Sequence, residues 1–104
     1  MTLKKHTVLL APSAIEDIQD GINYYKNIDF LLGKKFLEAL KTTFKELKNN
    51  PFYQIRYENV RVRTVKKFPY VLHFVVEENS VIIYGVRFSK MKEVKIEIGK
   101  KQVI

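Results

Sequence analysis

The 104-residue chain contains no cysteine, which excludes disulfides, thiol nucleophiles and thiolate metal sites. It has only two histidines, His6 and His73, too few for a histidine-rich metal centre. Its four glycines never form a loop that could cradle a phosphate, and neither a nucleophile elbow nor a metal-ligand spacing occurs. No segment approaches the roughly 20 apolar residues that a membrane helix requires. The start, Lys4-Lys5 followed by Thr7-Val8-Leu9-Leu10-Ala11, imitates a secretory signal, but the apolar run is short and Glu16 and Asp17 follow at once. A first strand and a cytoplasmic chain are the expectations. Repeats, low-complexity stretches and linkers are also missing, so residues 1–104 are read as one domain.

What the chain has in excess is positive charge. Nineteen Lys and Arg stand against eleven Asp and Glu, a net charge of +8, which suits an acidic partner such as nucleic acid, an acidic protein or an anionic surface. Hydrophobic residues at 46% and charged residues at 29% fit a globular domain with one modest core. Residues 1–50 carry +2 and residues 51–104 carry +6, with all four arginines (Arg56, Arg61, Arg63, Arg87) in the second half.

Hydropathy period changes at the same place, around Asn49-Asn50-Pro51. Lys5 to Leu10 reads as a short strand stopped by Pro12. Ser13-Ala14-Ile15-Glu16 has the form of a capping box. The helix behind it carries Ile15, Ile18, Ile22 and Tyr25 on one stripe, with Gly21 marking a close packing contact. Glu16, Asp17 and Asp20 are explained by the helix dipole. After a break at Asn27-Ile28-Asp29, a second helix turns Leu32, Phe36, Leu40, Phe44 and Leu47 inward. Val60 to Val65 alternates, Tyr70 to Val76 reads as a central strand, and Val81 to Phe88 returns after the turn Glu77-Glu78-Asn79-Ser80. The expected fold is α+β, β-α-α-β-β-β, a helical hairpin on a mainly antiparallel sheet. Residues 94–104 are either a short edge strand or a loose tail.

Alternation puts Arg61 and Arg63 on one face of their strand, opposite Val60 and Val62. With the valines turned to the helices, the arginines are expected on the open face, together with Lys66, Lys67, Arg87, Lys90 and Lys92. Tyr57, Tyr84 and Phe88 are interleaved aromatics able to stack a base. Solvation of a sheet face explains the same charges equally well. His73, alone in an apolar run, reads as a structural residue, and Glu58 is the one carboxylate placed to act as a base.

Four stretches resemble the RelE/ParE superfamily of toxins from type II toxin–antitoxin, or plasmid stabilisation, systems. They are Leu10-Ala11-Pro12-Ser13-Ala14-Ile15-Glu16-Asp17-Ile18, Ile22-Asn23-Tyr24-Tyr25, the run from Phe36-Leu37 to Leu47-Lys48-Asn49-Asn50-Pro51, and Val60-Arg61 followed by Phe68-Pro69-Tyr70-Val71-Leu72. The resemblance implies a curved sheet and a growth-inhibiting toxin bound by a cognate antitoxin in a hetero-oligomer, with neither cofactor nor membrane. It also implies one of two targets. A ribosome-dependent mRNA interferase would cleave by 2′-hydroxyl attack without a metal, using Arg61, Arg63 and Arg87 as catalytic residues. Lys66, Lys67, Lys90, Lys92 and Tyr84 would bind its RNA substrate. The alternative is a non-enzymatic toxin that binds DNA gyrase. After Arg87 the sequence Phe88-Ser89-Lys90-Met91-Lys92-Glu93 departs from the superfamily's usual His, Tyr or R-x-P ending, which removes a clear acid/base group.

Overall fold

The computed structural model describes residues 5–89; Lys90, Lys92 and the segment 94–104 lie outside them. Seven elements follow in order: β1 (Thr7–Leu10), α1 (Pro12–Ile28), α2 (Phe30–Asn49), β2 (Ile55–Tyr57), β3 (Val60–Thr64), β4 (Tyr70–Glu77) and β5 (Ser80–Phe88). The five strands form one sheet in the order β1-β5-β4-β3-β2. β1 runs parallel to β5, and the other pairs are antiparallel. The architecture is therefore the expected α+β hairpin-on-sheet with one strand more than the sequence suggested. β2 was missed because it has three residues, all exposed, too short a run for its Ile-Arg-Tyr alternation to register. Its signal is the turn: Glu58-Asn59 joins β2 to β3 as Glu78-Asn79 joins β4 to β5, and both glutamates adopt left-handed backbone, with φ of 49° and 54°.

Both helices bury one stripe. α1 buries Ala14, Ile18, Gly21 and Tyr25, while Ile15, expected inward, is 46% exposed. α2 buries Gly33, Phe36, Leu40, Thr43 and Leu47; Leu32 and Phe44 pack at the margin. Only Asp29 interrupts the two helices, and its carboxylate accepts from Leu31 N at 3.0 Å to cap α2. From β4 the helices receive Leu72 and Phe74, both fully buried, and the ring of Tyr70.

Phe36 lies where the layers meet. Its ring centroid is 5.2 Å from Tyr25, 5.2 Å from Phe68 and 4.9 Å from Tyr70, in tilted or edge-on geometry that suits aromatic quadrupoles. It also rests against Gly21, where an added Cβ would lie 2.6 Å from Phe36 Cε2 and 2.9 Å from Cζ. The ring is boxed by its aromatic neighbours and cannot withdraw. Gly21→Ala should therefore destabilise the protein by about 1–3 kcal/mol through overpacking, although alanine is the better helix former by about 1 kcal/mol. Denaturant unfolding of the variant checks this; a gain in stability would show that the helices separate freely at Gly21.

Candidate functional site

Register assigns every strand residue to a face. Arg61 pairs with Phe74 and Arg63 with Leu72, whereas Val62 pairs with His73. Leu72 and Phe74 face the helices, so Arg61 and Arg63 lie on the helix side and Val60 and Val62 on the open side. This reverses the sequence expectation. The physical reason is that β3 lies near the rim of the sheet, where an arginine stem covers apolar surface while its head finds partners. Arg63 donates from Nη2 and Nε to Glu46 Oε1 of α2 at 2.9 and 3.3 Å and stacks 4.9 Å from the Tyr53 ring. Arg61 donates from Nη1 to the Tyr53 carbonyl at 2.7 Å and lies 5.3 Å from the Phe52 ring. Both are bound into the loop before β2. Lys66 and Lys67 line a groove with Leu32, Lys34 and Lys35 of α2, again away from the open face.

Among the described basic residues expected there, Arg87 is the one that lies on the open side. Opposite Val71, it alternates with Val86, which is buried towards the helices. Its position depends on α1. The chain leaves β1 at Leu10, and Ala11 N still donates to Ile83 O at 2.9 Å. Beyond that point β5 has no strand on this edge among the described residues, and side chains of α1 take the strand's place. Ser13 Oγ donates to Tyr84 O at 2.6 Å. One helical turn later, Asp17 Oδ2 accepts from Val86 N at 3.0 Å and from Arg87 Nε at 3.2 Å. Ser13 is therefore not the cap: α1 starts at Pro12 behind Ala11 with no side-chain cap bond and no acid in its first turn. Asp17, attributed from the sequence to the helix dipole, is an edge clamp.

The same region carries a β-bulge. His73 pairs with Gly85 and Phe74 with Ile83, leaving Tyr84 as the extra residue. Tyr84 is half exposed, and its carbonyl is the acceptor for Ser13 Oγ. Gly85 stands opposite His73 with no side chain between that ring and Arg87. An added Cβ there would meet Arg87 Nε at 3.4 Å and Asp17 Oδ2 at 3.6 Å. Tyr57, from the edge strand β2, reaches over the sheet to His73: its hydroxyl and Nδ1 are 3.4 Å apart, and the ring tautomer decides which donates. The open face thus brings together Tyr57, His73 and Arg87; the sequence reading offers Arg87 as a catalytic residue and Tyr57 as a base-stacking aromatic, and takes His73 as structural. Glu58 is exposed in the β2–β3 turn. His6, by contrast, is buried edge-on against Phe52.

Burial raises the Tyr57 phenol above the ordinary tyrosine value of 10.0, the Arg87 guanidinium opposes that rise, and Glu58 adds to it. Burial likewise raises Tyr25, with Tyr24 contributing, and Tyr70, with Tyr25, Tyr24, Asp20 and Asp17 contributing. Among the described residues no group of His, Asp and Glu is placed to hold a metal ion, and no helix is long and apolar enough to cross a membrane.

Two outcomes are expected. Gly85→Ala should leave stability within about 0.5 kcal/mol, while Gly85→Val drives a methyl into the Asp17–Arg87 pair and should cost about 1–3 kcal/mol by denaturant unfolding. Equal effects of the two would mean that nothing crosses this strand. The raised tyrosines keep their protons longer in the folded than in the unfolded chain. Their contribution is therefore complete below pH 10 and is lost as pH rises from there through the folded values. A thermal-melt series from pH 8 to 11.5, read beside phenolate absorbance, tests the sign: midpoints should fall above pH 10, with phenolate appearing later in the folded protein than in the denatured one.

The model of the family described as the ParE toxin of type II toxin-antitoxin systems, parDE, matches residues 8–94. A search of curated proteins returned no match. Among solved structures, one titled "Chromosomal ParDE TA system from P. aeruginosa" superposes with a TM-score of 0.72, covering 81% of this chain and 96% of that one at 15% identity, a likeness of fold. The family match extends from β1 to beyond β5, and on it the chain belongs to the ParE toxin family of type II toxin–antitoxin systems.

Proposed function

We propose that this protein is a toxin that arrests growth by binding DNA gyrase, without an enzymatic step of its own, and that a cognate antitoxin holds it inactive in a hetero-oligomer. One observation carries the choice of target. Metal-free cleavage of mRNA needs several cationic groups converging on one phosphate, because electrostatic stabilisation there is worth several kcal/mol only when the donors are preorganised together. Arg61 and Arg63 point to the helix side and are occupied by Tyr53 O and Glu46, while Arg87 lies on the other side, bound to Asp17. That dispersal disfavours an mRNA interferase. The net charge of +8 supports an acidic antitoxin segment as the natural neutralising partner.

The test runs two assays on one preparation released from its antitoxin. Supercoiling by purified gyrase should be inhibited, and stoichiometric antitoxin should restore it. Message on programmed ribosomes should stay intact. Cleaved message with unimpaired supercoiling would overturn the gyrase reading and return the ribonuclease one.

A further inference from the structure

Several of the exposed large apolar side chains lie together at the turn between the two helices. Asp29 alone separates α1 from α2, and around it Ile28, Phe30 and Leu31 are 61%, 63% and 59% exposed. Tyr24, one helical turn before Ile28 and on the same face, is exposed as well. Scattered surface hydrophobics need no explanation, but a contiguous patch marks a contact surface. This one is also held stiffly. Asp29 N donates to Tyr25 O at 2.9 Å, Leu32 N donates to Asp29 O at 2.8 Å, and the Asp29 carboxylate accepts from Leu31 N. Just behind the turn the helices meet at Gly33, where an added Cβ would lie 3.1 Å from Lys26 Cβ. The tip is therefore presented ready-made, and little ordering remains to be done on binding.

Lysines surround it. Lys26 Nζ stands 5.7 Å from the centroid of the Phe30 ring. Lys34 and Lys35 of α2 and Lys66 and Lys67 of the β3–β4 turn line the groove that begins at Leu31. Phe68 brings that turn to this end of the molecule by packing its ring on Tyr25 and Phe36. These lysines are all exposed. The ion pairs among the described residues are Arg63–Glu46 and Arg87–Asp17, so none of the lysines has a carboxylate partner there. The Asp29 carboxylate is occupied as the cap of α2, and Glu38 is the one acid lining the groove. An apolar centre inside a polar rim is the anatomy of a protein interface, and the sign of this rim calls for an acidic partner.

The shape narrows that partner further. A segment that folds on binding gains area by lying in grooves and along strand edges. The bend of a helical hairpin is a protrusion, and it buries its side chains only in a pocket already formed in a folded protein. We propose that the tip of the helical hairpin is the surface by which the toxin docks on gyrase, with Phe30 and Leu31 entering an apolar pocket of the enzyme whose rim is acidic. This rests on the gyrase reading above and names the surface that carries it. The apolar centre governs how long the complex lasts, and the lysines govern how fast it forms.

The test uses the full-length toxin released from its antitoxin. Association and dissociation with purified gyrase are followed by surface plasmon resonance from 50 to 250 mM salt, and supercoiling is read on the same preparations. Wild type should bind and inhibit. Phe30→Gln combined with Leu31→Gln should weaken binding and inhibition by about tenfold or more, chiefly through faster dissociation. Lys34→Glu combined with Lys35→Glu should slow association severalfold at low salt and flatten its salt dependence, with dissociation nearly unchanged. Ile55→Gln, at another exposed apolar position, on β2, should change affinity less than about twofold. Inhibition by the Phe30/Leu31 variant equal to that of wild type overturns the docking surface, as do equal losses in that variant and Ile55→Gln. Weakened antitoxin binding by the Phe30/Leu31 variant with gyrase inhibition intact assigns the tip to the antitoxin and overturns it too. In each of those cases the gyrase reading stands. A wild-type toxin that neither binds gyrase nor impairs supercoiling overturns that reading and the surface with it. If the Phe30/Leu31 variant melts early, the lysine pair decides, and association unchanged by the two charge reversals overturns the surface.

Discussion

The structure depends on how α1 takes over from β1 along the edge of β5. A strand edge without a neighbour leaves backbone donors and acceptors to be satisfied by something else. Here β1 ends after four residues, and Ala11 N, Ser13 Oγ and Asp17 Oδ2 continue its pairing with Ile83 O, Tyr84 O and Val86 N. Ser13 and Asp17 are four apart and so lie on one face of the helix. That face fixes the rotation of α1, which in turn directs Ala14, Ile18, Gly21 and Tyr25 to the core. Packing then follows from a hydrogen-bonded constraint at the edge.

The aromatic cluster around Phe36 is the complementary constraint. Its ring touches both helices and the sheet, with Gly21 on one side and Tyr70 on another. Burying one such ring is worth about 1.5–3 kcal/mol, but its larger effect is geometric: it sets the distance between the layers. With that distance and the rotation of α1 both set, Asp17 meets Arg87 on the far side of Gly85. The core and the open face are thereby linked through one helix.

Much of this was legible in the sequence. The period of α2, the central place of β4 and the packing role of Gly21 all follow from residue spacing, because burial writes a pattern of one face in and one face out. The parity of β3 was not legible. Val-Arg-Val-Arg defines two faces without saying which is inside, and the usual rule fails where arginine stems lie over Phe52 and Tyr53 and their heads reach Glu46 and Tyr53 O. The Ser13–Glu16 capping box was a coincidence of spacing, since Pro12 already begins the helix and leaves the serine to another partner. Tyr57 reads locally as a base-stacking aromatic and Asp17 as a helix-dipole charge, because their contacts lie 16 and about 70 positions away, a separation no local pattern records. The Glu-Asn dipeptides at both hairpin turns were the one local sign of β2.

The pairing of β1 with β5 has a consequence for how the protein comes into being. Thr7 is matched to Ser80 and Leu10 to Ile83, so the first strand made waits for the last. Contacts of such long sequence separation form late, since the intervening chain must lose its freedom before they can repay it. The helical hairpin emerges from the ribosome before the strands it packs on, and the sheet cannot close until β5 is released. The edge held by Ser13 and Asp17, and the patch around Arg87, therefore arise together in one final step. A nascent chain stalled before β5 carries none of that surface, and the interval before its completion is when a partner synthesised alongside would meet an unfinished sheet rather than a working one.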